Sequence, residues 1–82
     1  MTMTWRFAEY EFETTKVEDN VAGSSGLELY RTTLRAGERK RVAACVFWDA
    51  IGHFYLETFG TDLPVPVIEK LIAGARTAVP LR

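Results

Sequence analysis

The sequence predicts an α+β fold: a four-stranded antiparallel sheet, built from an N-terminal strand and a meander of three more, with one C-terminal helix packed on one face. Three observations predict it. The stretch Val42 to Trp48 is continuously apolar and rich in β-branched and aromatic side chains, the pattern of a strand covered on both faces. Alternating segments flank it and join it through short, glycine-bearing connections. Val67, Ile68, Leu71, Ile72, Ala75 and Val79 recur at spacings of three and four, which lays an apolar stripe along a helix. With 82 residues there is room for one hydrophobic core, so a single domain spans residues 1–82.

Thr4 to Glu13 reads as the first strand. Trp5 and Phe7 share one parity while Tyr10 and Phe12 share the other, which in one strand requires a β-bulge near Ala8–Glu9 or cover on both faces. Thr14 to Gly26 reads as a long loop. Its only apolar side chains are Val17, Val21 and Ala22, and Gly23-Ser24-Ser25-Gly26 is flexible by composition. A loop of that length is either functional or mobile, and we take it as mobile.

Leu27 to Leu34 alternates as the second strand, and Arg35-Ala36-Gly37-Glu38 turns the chain. Arg39 to Asp49 is the third strand and belongs at the centre of the sheet. Asp49 to His53 is a short connection in which Gly52 takes the left-handed position of a type I turn with a bulge. His53 to Phe59 is the fourth strand. Pro64 and Pro66 hold the helix entry extended, and Pro66 suits the first helical position. Pro80 disfavours a helical Val79 and so ends the helix. Gly74, costly within a helix, allows close approach to the sheet.

Composition bounds the function. Hydrophobic residues make up 48% and charged residues 26%, which is globular rather than disordered. The net charge of −1 gives no overall field for capturing nucleic acid or an anionic membrane. The single cysteine, Cys45, excludes an internal disulfide and fits a reducing compartment. The first fifteen residues lack the basic start and apolar centre of a secretory signal, and no apolar run reaches the roughly 18 residues of a membrane span. The expected location is the cytoplasm, with no membrane partner.

One helix covers one face of a sheet, yet the central strand is apolar on both. The second face, carrying members of the set Tyr30, Val42, Val46, Trp48 and Tyr55, has no covering element left in the chain. Such a patch marks an interface. The candidate partner-binding residues are Tyr30, Val46, Trp48 and Tyr55, and the expected partner is a second copy of the chain, as a homodimer, or another protein. The alternative is self-cover by residues 14–26 or by the first strand.

Charge is unevenly distributed. Residues 30–48 carry five positive charges and one negative, whereas residues 1–29 carry two positive and six negative. The cluster Arg35, Arg39, Lys40 and Arg41 beside sheet aromatics suggests a second function, phosphate contacts with bases stacked on Trp48, Tyr30 or Tyr55. Four strands followed by a helix is also similar, in layout alone, to a family of single-stranded-DNA-binding transcriptional coactivators. The plainer reading is that Glu9, Glu11 and Glu13 neutralise the basic strand across the sheet.

Catalytic patterns are sparse. Asp49 and His53 flank a turn, but no nucleophile can be assigned beside them, and Cys45 sits in a strand expected to be buried and inert. One histidine and one cysteine give no metal-ligand spacing, and Gly23–Gly26 lacks the lysine and helix start of a phosphate loop. The reading is a non-enzymatic interaction domain of regulatory or inhibitor type, with no catalytic residues, no metal and no cofactor. The alternative is a single-stranded nucleic-acid-binding module.

Overall fold

The computed structural model describes residues 3–79. The chain forms β1 (Thr4–Phe7), β2 (Tyr10–Asp19), β3 (Ser24–Thr33), β4 (Arg39–Trp48), β5 (His53–Thr58) and α1 (Val65–Ala78). The strands make one antiparallel sheet in the order β1-β2-β3-β4-β5. The α+β class, the meander and the C-terminal helix stand as expected, with five strands in place of four.

The two differences from the expected strands both fall before β4. The parity change between Phe7 and Tyr10 is a hairpin turn: Phe7 pairs with Tyr10, and Ala8 takes a positive φ of 54°. The expected bulged single strand is therefore two strands. The expected mobile loop 14–26 is likewise the end of β2, a turn and the start of β3, paired residue by residue from Tyr10↔Thr33 to Asp19↔Ser24. Composition concealed this because the strand's inward side includes a threonine. Thr14 is fully buried, and its Oγ1 accepts a hydrogen bond from the Met3 amide at 3.0 Å. The Asp19 carboxylate caps the turn by accepting from the amides of Val21 and Ala22 at 3.1 and 3.0 Å.

Three hairpins share one device. Gly23, Gly37 and Gly52 donate their amides to the carbonyls of Asp19, Thr33 and Trp48, four residues back, at 2.8, 2.7 and 2.8 Å. Their φ values are 74°, 70° and 77°. The left-handed glycine closes the turn and hands the next residue back to the ladder. The expected role of Gly52 is thus met, and the same spacing recurs at the two preceding turns.

The core lies between α1 and the face of the sheet formed by Phe12, Leu27, Leu29, Ala43 and Cys45, with Val67, Leu71 and Ala75 entering from the helix. Trp5 stacks on Phe12 at a centroid distance of 5.7 Å and extends the core toward β1. Pro64 is the extended N-cap, Val65 takes the first helical position expected of Pro66, and Pro66 follows as the second. A β-carbon at Gly74 would overlap the Met3 methyl and lie 3.3 Å from Leu27 Cδ1, so the glycine does permit the close approach. The helix ends at Ala78, with Val79 extended at φ −103° and ψ 106°. Pro80 itself lies outside the described residues.

Val42 departs from expectation. The register between β3 and β4 shifts at Leu29/Tyr30, because Leu29 pairs with Ala43 while Tyr30 pairs with Arg41. Val42 is the extra residue at this bulge, and it is fully buried as part of the helix-side core. It does not contribute to the second face.

Candidate functional site

Cross-strand register identifies the second face row by row, since paired residues share a side. One row runs Val17, Gly26, Val46, Tyr55, and the next runs Asp19, Ser24, Trp48, His53. Toward the other end, rows run Glu13, Tyr30, Arg41 and Glu11, Thr32, Arg39. A row of Thr15, Glu28, Ala44 and Glu57 lies between them, so the face has an ionic end and an end whose apolar surface comes from Val17, Val46, Tyr55 and Trp48, flanked by Asp19, Ser24 and His53.

At the ionic end the chain covers itself. Arg39 reaches from β4 across β3 to donate to Glu13 Oε1 on β2 at 2.6 Å, and its guanidinium lies 3.9 Å from the Tyr30 ring centre. Arg41 donates to Glu28 Oε2 at 2.7 Å and lies 4.4 Å from the Phe59 ring centre. The Tyr30 hydroxyl donates to the other Glu28 oxygen at 3.1 Å. The hydrogen bond to Glu28 raises the Arg41 pKa above its ordinary value. Tyr30 is thus held in a lattice of charges rather than presented with the other candidates.

At the apolar end Val46 and Tyr55 are direct partners, and Trp48 stands two residues further along the same side of β4. Trp48 is 36% exposed and Tyr55 50%. Val17 joins them from β2, a residue hidden from sequence reading by its place in the supposed loop. Gly26 supplies no side chain between Val17 and Val46. A β-carbon there would run into the Cys45 carbonyl and lie 2.7 Å from Val46 Cα. The row is consequently low in its middle, with valines and Tyr55 around it.

The basic cluster is divided. Arg35 is exposed in the β3–β4 turn, and Arg39 and Arg41 lie in the ionic lattice. Lys40 pairs with Arg31, which pairs with Phe12, so it belongs to the helix-side face. Of Glu9, Glu11 and Glu13, expected to neutralise the basic strand, only Glu13 forms an ion pair among the described residues, and Glu28 supplies the other.

Cys45 is buried, and burial pushes its thiol up, with Arg76 a smaller opposing influence. Among the described residues no hydrogen bond joins Asp49 and His53 and no group of three or more His, Cys, Asp or Glu side chains could hold a metal ion. A cleft of about 320 Å³ lies between the helix and the sheet, lined by Met3, Thr14, Leu27, Lys70, Gly74 and Thr77 among others. Its wall is mostly apolar and brings no acid–base pair together. No described helix is long and apolar enough to cross a membrane. No family model, no curated protein and no solved structure matches this chain.

Proposed function

We propose that this chain is a small non-enzymatic interaction domain, a regulatory or inhibitor-type protein of the cytoplasm. In this reading it works as a homodimer and binds another macromolecule through the aromatic end of its open sheet face. The observation that carries the reading is the exposure of Trp48 and Tyr55 beside Val46 and Val17, on a face whose internal cover among the described residues is ionic and centred toward the opposite end. Burial of each large aromatic against a partner would contribute about 1.5–3 kcal/mol. Tyr30 has a supporting part in this reading, because its hydroxyl and ring are already engaged.

The nucleic-acid alternative draws less support, since two of its four cations are paired with glutamates and a third lies on the other face.

The test is co-purification with a panel of cellular partners, comparing wild type with the Trp48→Ala/Tyr55→Ala double variant. Circular dichroism checks that both are folded. Specific binding by wild type that is lost in the variant is the expected outcome, and binding indifferent to both residues removes the reading. A salt-sensitive tryptophan-fluorescence response to single-stranded oligonucleotide would favour the alternative instead.

A further inference from the structure

The free edge of β5 differs from the other edge of the sheet. β1 spans four residues and carries Arg6. β5 spans six, His53-Phe54-Tyr55-Leu56-Glu57-Thr58, without the lysine, proline or bulge that guards an edge against pairing. Leu56 is 46% exposed on its helix side and Tyr55 50% on its open side. Hydrogen-bond phase is fixed at the end of this strand, where the Phe59 amide donates to the Val42 carbonyl at 3.1 Å. Alternation along the ladder then turns the backbone groups of His53, Tyr55 and Glu57 toward β4. Those of Phe54, Leu56 and Thr58 point outward.

The order of side chains on this edge is self-complementary. In an antiparallel pairing about a two-fold axis perpendicular to the sheet, each residue meets one of the same parity, so faces are preserved. Centred on Tyr55, the register sets Tyr55 against Tyr55, Phe54 against Leu56 on the helix side, and His53 against Glu57 on the open side. The outward amides and carbonyls of Phe54 and Leu56 then meet each other as hydrogen-bonded pairs. The tyrosines form the closer, non-hydrogen-bonded pair. Centring on Leu56 instead sets Tyr55 against Glu57 and Phe54 against Thr58. Centring on Phe54 sets Leu56 against Gly52.

We propose that two copies of this chain pair β5 to β5 in the register centred on Tyr55, continuing the five-stranded sheet across the dimer. This rests on the reading of the chain as a self-associating interaction domain and supplies its geometry. Edge pairing leaves Trp48, Val46 and Val17 of both copies open and joins their two aromatic surfaces through the central tyrosine pair. The dimer therefore presents one double-width recognition face.

Sedimentation velocity across a dilution series tests the proposal. Glu57→Lys and His53→Glu should each weaken the dimer by about tenfold or more, by placing mismatched or like charges across the axis. The double variant His53→Glu/Glu57→Lys should restore it, because each new glutamate then faces the new lysine of the other copy. Glu57 also attracts Arg41 within its own chain, so circular dichroism monitors the fold alongside. A wild type that stays monomeric, or a double variant no better than its singles, overturns the proposal. A dimer lost in Trp48→Ala/Tyr55→Ala and indifferent to the charge exchange also overturns it, while leaving the interaction-domain reading standing in a face-to-face form.

Discussion

A β-carbon at position 26 would meet backbone, whereas at position 37 it would meet nothing within 4 Å. The two glycines are thus needed for different reasons, and substitution separates them. Gly26→Ala forces β3 and β4 apart and should cost about 1–3 kcal/mol. Gly37→Ala meets only the penalty of its φ of 70° and should cost about 1 kcal/mol. Chemical denaturation of both variants checks the order. Cys45 is a second residue whose context decides its behaviour. Its folded pKa lies above the ordinary value of 9.0, so the folded chain holds a proton that the unfolded chain releases. The stabilising effect is complete below that value and is lost as pH rises through the folded pKa. Wild type should lose stability more steeply than Cys45→Ala between neutral and strongly alkaline pH, and equal slopes would contradict this. The thiol should also resist modification until the protein unfolds.

Among the elements, the β1–β2 hairpin carries local strain at its two-residue turn. Ala8 adopts a φ of 54°, which an L-residue with a β-carbon visits at a cost. Ala8→Gly should relieve it and stabilise the domain by about 0.5–1 kcal/mol, measured as a higher denaturant midpoint at unchanged slope. The same residue explains why the hairpin was hard to read from sequence: alanine is not a turn signal, and only the parity change from Phe7 to Tyr10 marked the reversal. The three glycine turns were legible to different degrees. Gly37 and Gly52 lie between segments with clear alternation. Gly23 sits between Thr14–Asp19 and Ser24–Gly26, where hydroxyls and a glycine occupy strand positions. The helix was legible throughout, because Val67, Leu71 and Ala75 alternate with polar neighbours at helical spacing and are the residues it buries.

For the whole molecule, the mismatch between one helix and a two-sided apolar strand was visible in the sequence, but its extent was not. Trp48, Val46 and Tyr55 fall on the open face because strict alternation from the β4–β5 turn places them there. Val42 does not, because a bulge in the middle of β4 changes which side it faces. Tyr30 does, but diagonal ion pairs that no sequence spacing reveals have closed over it. Two of the five suspected residues, Tyr30 and Val42, are therefore engaged within the chain, and Val46, Trp48 and Tyr55 are concentrated at one end.

Every strand pairs only with its immediate neighbour in sequence. Each hairpin can form from a short stretch of chain, with little loop entropy to overcome. Packing of α1 on β3 and β4 joins the residues furthest apart in sequence among the described contacts between elements. A nascent chain can thus lay down its pleated layer progressively, with the helix that follows it in sequence clamping the hydrophobic side shut.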